Sequence, residues 1–205
     1  PVFRQSGSAN LKIAIARSVE ENQLDISAAL ADWNINGQQL GQFNFNANGN
    51  TLMNAYVVNF DLAKDDKKEL KAKGIWQGLE EPTLNLDIEL DGLDLNFLSP
   101  LGKDAIKNIG GSITGNVNLW GPLNQLKHNG LLTLESAQIS IPFLNVDYQA
   151  ATTQVKLSNQ EFFFMSTTLF EQAENTSALL EGAFSHVNFR DWSLDLNIDS
   201  DRMLL

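Results

Sequence analysis

Cysteine is absent from the 205 residues. Disulfides, thiolate metal sites and cysteine nucleophiles are excluded together, while cytosol and periplasm both stay open. Basic residues are scarce, 14 Lys and Arg against 25 Asp and Glu, for a net charge of −11. Phosphate binding relies on neutralising cations, so this balance argues against nucleic acid as a partner. It also disfavours adsorption of the outer surface to anionic lipid headgroups. No stretch approaches the roughly 20 consecutive apolar residues of a membrane-spanning helix. The opening Pro1-Val-Phe-Arg-Gln-Ser6 has neither a basic n-region nor an apolar h-region. Both it and the closing Asp201-Arg-Met-Leu-Leu205 read as cuts, so a piece of a longer protein is expected.

What is present is alternation. In Thr83–Leu98, Leu84, Leu86, Ile88 and Leu90 fall on one parity and Asn85, Asp87, Glu89 and Asp91 on the other. Successive side chains of a strand point to opposite faces, so such a segment is apolar on one side and carboxylate-coated on the other. Asp91-Gly92 reads as a turn, after which the pattern resumes out of step as Leu93, Leu95 and Phe97. The same signature recurs at 41–48, at 115–120 with Val117 and Leu119, and at 193–199 with Leu194, Leu196 and Ile198.

Further strands are expected at 11–15, 24–30, 52–62, 70–77, 112–120, 131–137, 138–143, 146–151, 153–158, 161–168 and 178–185. Turn signals at Asn36-Gly37, Asn48-Gly49-Asn50, Gly110-Gly111, Gly121-Pro122 and Asn129-Gly130 punctuate them. Lys64–Lys73 reads as a solvated hairpin tip. One interruption, Ser99–Asn108, suits a short helix, with Ser99 as cap and Pro100 in the first turn. Phe162-Phe-Phe-Met165 reads as a buried-strand run. No linker divides the chain, and a single all-β domain over 1–205 is expected. With no amphipathic helix to cover it, a one-sided sheet must fold against itself as a sandwich, a barrel or a curled sheet.

Chemistry is hard to find. His128 and His186 are the only histidines, and each reads more simply as a turn or strand-end residue than as a base or ligand. No nucleophile elbow, phosphate-binding loop or zinc-protease motif is present. The carboxylates at 87, 89, 91, 195 and 199 sit on solvent parity, opposite leucines, where a catalytic pair lacks the cleft it needs. No enzyme, metal or cofactor is expected.

The run Gly110–Leu134 (GGSITGNVNLWGPLNQLKHNGLLTL) resembles a glycine-punctuated phrase of the TamB family, the inner-membrane-anchored subunit of a translocation and assembly module in Gram-negative bacteria. Residues 137–148, 180–192 and 194–199 are similar to that family's following phrases in the same order, and 95–101 to the preceding one. The chain departs from the pattern at Leu126-Lys-His-Asn-Gly130, where the family often has proline.

The resemblance implies a curled β-sheet, taco- or half-pipe-shaped, with an apolar interior groove and polar exterior. It implies a periplasmic location within a membrane-anchored protein, and work in envelope biogenesis. The implied partners are phospholipid acyl chains or unfolded outer-membrane protein segments, with a TamA-like outer-membrane barrel reached through the full-length protein. Leu84, Leu86, Ile88, Leu90, Leu93, Leu95, Phe97, Val117, Leu119, Leu194, Leu196 and Ile198 are then the candidate lipid-groove residues. Three alternatives stand beside this. The same residues can pack together in a closed core, the chain can be an interaction scaffold that grips a partner strand by an open edge, or it can be a carbohydrate-active solenoid.

Overall fold

A computed structural model describes residues 5–17, 22–35, 37–102, 107–142, 145–171 and 175–200. The strands are β1 (Gln5–Arg17), β2 (Asn22–Ile35), β3 (Gln38–Asn50), β4 (Ala55–Lys64), β5 (Lys67–Gln77) and β6 (Thr83–Asp94). A 3-10 helix covers Leu95–Gly102. Then come β7 (Lys107–Pro122), β8 (Lys127–Ile141), β9 (Val146–Asn159), β10 (Glu161–Glu171), β11 (Thr176–Val187) and β12 (Arg190–Asp199). All twelve strands form one sheet in sequence order, β1 to β12. It is not closed into a barrel. The all-β class read from the alternation therefore holds. No helix among the described residues is long and apolar enough to cross a membrane.

The chain packs as two compact units. The first holds the described residues of Phe3–Asp91 and Asn116–His128, the second those of Gly92–Gly115 and Asn129–Leu205. Within each unit, tight antiparallel pairing follows from short turns. Asp65 and Asp66 join β4 to β5 with φ of 50° and 63°, the left-handed pair that matches strand twist in a two-residue hairpin. Asn188 and Phe189 do the same between β11 and β12, at φ of 53° and 58°. Asn and Asp tolerate that region; Phe does so at a cost.

Several expected boundaries are corrected. Asp91-Gly92 is not a turn: β6 runs through it, with Gly92 at φ +73° absorbing the change of parity. Glycine is the residue that adopts this conformation without strain, which is why a strand can bulge there. Leu95 and Phe97 consequently lie in the 3-10 helix and not on a strand. That helix occupies Leu95–Gly102 instead of 99–108, and the Ser99 hydroxyl donates to the Ile109 carbonyl at 2.8 Å.

The segments 131–137 and 138–143 belong to one strand, β8, as far as Ile141, and 146–151 and 153–158 form the single strand β9. Each apparent break is an internal slip of parity. In β9 the buried residues run Val146, Tyr148, Ala150 and then Thr153, Val155, Leu157. In β8 Ser136 takes φ +51° at the slip. Gly110-Gly111 and Asn129-Gly130 likewise lie inside strands. In β4 the strand begins only at Ala55, leaving Leu52 and Met53 exposed in the preceding turn. The charged tip shrinks to Asp65-Asp66, because Lys67 to Lys73 are already in β5.

Candidate functional site

In the first unit, strand register stacks the apolar residues into rows that cross five strands. Leu24, Gly49, Tyr56, Trp76 and Leu84 stand opposite one another in turn, from β2 to β6. The next row is Ile26, Ala47, Val58, Gly74 and Leu86, and the one after it Ala28, Phe45, Phe60, Ala72 and Ile88. A fourth is Leu30, Phe43, Leu62, Leu70 and Leu90. Residues directly opposite in an antiparallel pair share a face, so these twenty positions make one surface. It spans about 19 Å across the strands and about 20 Å along them. None of the twenty is charged. Leu11 and Ile13 of β1, opposite Ala28 and Ile26, extend it and are exposed.

The second row carries small side chains at its middle, Ala47, Val58 and Gly74. Ala47, Val58 and Leu86 are buried, and around them pack Ile26, Phe45, Tyr56, Phe60, Trp76, Leu84, Ile88 and Leu119, all only partly buried. Tyr56 and Trp76 flank it on one side and Phe45 and Phe60 on the other. Trp76 is held in place by its indole N–H, which donates to the Gly78 carbonyl at 3.1 Å. Phe43 bridges Trp33 and Phe60, with ring centroids 5.7 and 6.0 Å apart.

The opposite face is polar and cross-linked. The Asn48 amide donates to Asp25 at 2.7 Å and that of Asn44 to Asp61 at 3.1 Å. The Asn118 amide lies within hydrogen-bond distance of Asn85 and Asp87 side-chain oxygens, at 3.1 and 2.9 Å, and of the Leu86 carbonyl at 3.2 Å. Lys68 pairs with Asp61, Lys71 with Glu89 and Lys67 with Asp91, at 3.2, 3.4 and 3.3 Å. Such water-exposed pairs are each worth at most about 1 kcal/mol, so their effect is to fix which face is wet more than to add stability.

The twelve candidate groove residues divide between the units. Leu84, Leu86, Ile88 and Leu90 lie on the rows above, and Leu119 packs against the same cluster; Val117 is half-buried two residues before it. Leu93 is buried, and Leu95 and Phe97 are half-buried, in the second unit. On β12 Leu196 is half-buried, whereas Leu194 and Ile198 are 59% and 38% exposed. Those two contribute no core. The sequence reading passed over Phe45, Tyr56, Val58, Phe60 and Trp76, although the same alternation marked their strands. Their importance comes from register, which no single strand displays.

His128, expected in a turn, lies in a strand, whereas His186 occupies the strand end expected for it. His128 is buried within β8 and His186 within β11. The imidazole of His186 stacks on Phe189 (centroids 4.4 Å, planes 20° apart), lies 4.8 Å from Trp192 and 5.7 Å from Phe162, and accepts the Phe189 backbone N–H on Nδ1 at 3.0 Å. Burial pushes its pKa down. Tyr148 has its pKa raised, first by burial and then by the neighbouring Glu171 carboxylate. His186 packs within the β11–β12 hairpin. Among the described residues, no group of three His, Cys, Asp or Glu is placed to hold a metal ion. No protein-family model matches the chain, and neither a curated protein nor a solved structure matches it.

Proposed function

We propose that the apolar face of the first unit is a bed for hydrocarbon chains, and that the protein is a TamB-like β-domain of the periplasm that handles phospholipid acyl chains during envelope assembly. The observation that carries this reading is an apolar face of twenty adjoining positions without a charge, in which the row of Ala47, Val58, Gly74 and Leu86 runs between rows bearing aromatic residues on either side. An extended polypeptide laid there would present N–H and C=O groups that the apolar side chains cannot pair. A hydrocarbon brings no such groups, and each methylene taken from water contributes about 0.8 kcal/mol. Passive sliding along this surface needs neither nucleotide nor metal. Outer-membrane protein segments and a TamA-like barrel are further partners under this reading.

The test is native mass spectrometry with lipid extraction on the chain purified from a Gram-negative host. Near-stoichiometric phospholipid in the wild type, lost in Phe60→Asp and Leu84→Asp variants of unchanged circular dichroism, is the expected result. Lipid-free protein that takes up no added phospholipid would overturn it.

A second reading, a scaffold that adds a partner strand, is favoured by one feature. Strand β12 ends the sheet order and leaves Trp192, Leu194 and Ile198 exposed. A proline at Asn197 would abolish partner capture under that reading and spare lipid uptake.

A further inference from the structure

The run Phe162-Phe-Phe-Met165 is apolar on both parities, and only half of it is covered. Phe162 and Phe164 turn inward, Phe164 meeting Phe184 edge-on at 5.4 Å. Phe163 and Met165 are 47% and 42% exposed, and beside them on the same face Leu179 and Phe170 are 43% and 39% exposed. Register sets them along one face: Phe163 lies opposite Ala183, Thr168 opposite Leu179 and Phe170 opposite Ser177, with the exposed Glu181 between Leu179 and Ala183. The slip of register between Phe164 and Thr167, closed by the Thr167 hydroxyl donating to the Met165 carbonyl at 2.7 Å, keeps Thr167 and Leu169 inward. Inward packing is thus satisfied without Phe163, Met165 or Leu179, which a solvent-facing strand would ordinarily replace with Thr or Ser.

Charge surrounds this patch unevenly. On β12 Asp195 lies opposite Ala183 and Asp199 opposite Leu179, while Asn197 between them faces Glu181 of β11. All three carboxylates are exposed. Among the described residues, the basic ones nearby are Lys156, opposite Phe163 on the β9 side, and Arg190 at the hairpin turn. At the other end of the patch Phe170 and Thr168 border a cleft of about 430 Å³ that also involves Gln138 and Gln149.

We propose that this face of the second unit docks a basic amphipathic segment of another protein. Its apolar side chains cover Phe163, Met165 and Leu179, one of them enters the cleft beside Phe170, and its Lys or Arg residues meet Glu181, Asp195 and Asp199. The carboxylates disfavour an anionic membrane, and a second copy of this chain would oppose like charges. The inference is independent of the hydrocarbon bed, which lies on the other unit.

The probe is a fluorescein-labelled peptide of Leu and Lys at amphipathic helical spacing, followed by anisotropy against the whole chain, with a Leu/Glu peptide as counterpart. The Leu/Lys peptide is expected to bind and the Leu/Glu peptide to fail. Phe163→Thr with Leu179→Thr, which leaves net charge unchanged and favours strands, should weaken binding about tenfold. Asp195→Lys with Asp199→Lys should do the same, whereas Glu80→Lys with Glu81→Lys, an equal charge change on the first unit, should leave it unaltered. Phe163→Thr alone provides a milder variant if the pair loses its circular dichroism. Unchanged binding in the threonine variants, equal loss in the control pair, stronger adsorption to phosphatidylglycerol vesicles than to the peptide, or a dimer in sedimentation that Phe163→Thr dissociates would each overturn the proposal.

Discussion

Gly74 stands opposite Leu86 across β5 and β6, and a Cβ on Gly74 would collide with the backbone carbonyl of Asn85 beside it. The close approach of the two backbones at this point therefore depends on glycine. Backbone cannot yield as a flexible side-chain end can. Gly74→Ala should destabilise the chain by about 1–3 kcal/mol, read as a lower urea midpoint with unchanged slope. A variant as stable as wild type would show that β5 and β6 can separate at no cost.

Leu86 and Leu194 share a residue type and an alternating pattern but not an environment, one buried and the other 59% exposed. Leu86→Ala should cost about 2–5 kcal/mol, the cavity range for a buried leucine. Leu194→Ala should stay within about 0.5 kcal/mol, as exposed substitutions do. Urea denaturation of the two variants side by side decides whether β12 contributes to any core.

Asn118 ties β7 to the polar side of β6 through Asn85, Asp87 and the Leu86 carbonyl. Asn118→Ala removes these largely solvent-exposed contacts and should cost about 0.5–1.5 kcal/mol. Asn118→Asp should be worse, since a second carboxylate then faces Asp87, and added salt should recover part of the loss by screening. Equal stability of the Ala and Asp variants at low salt would contradict the geometry.

His186 predicts the direction of a pH effect. Its ordinary value is 6.5 and burial lowers it in the folded chain. The unfolded chain consequently takes up the proton first as pH falls through about 6.5, so stability is lost below that pH and levels off only beneath the folded value. Protonation also removes the Nδ1 acceptor for the Phe189 N–H and with it the restraint on a left-handed phenylalanine. Lowering pH from about 7.5 to about 5.5 should reduce the thermal midpoint more in wild type than in His186→Phe. Equal shifts would place the sensitivity in the carboxylates.

Alternation made the strands and their wet and dry sides legible from residues 83–91 and 41–48 without any structure, because the side-chain period of a strand is two whatever surrounds it. Bulges defeat the same rule. At Gly92, Ser136 and Ala151-Thr152 a slip of one residue looks like the end of one strand and the start of another, and only pairing with a neighbour shows the chain continuing. The sequence by itself thus determined an all-β chain of one-sided strands with an acidic exterior. Tertiary structure alone decided that Ala47, Val58, Gly74 and Leu86 line up into one row, that Leu194 lies open, and that Phe163 and Met165 face outward. Register and burial are relations between strands, and no strand carries the identity of the residues that will stand opposite it.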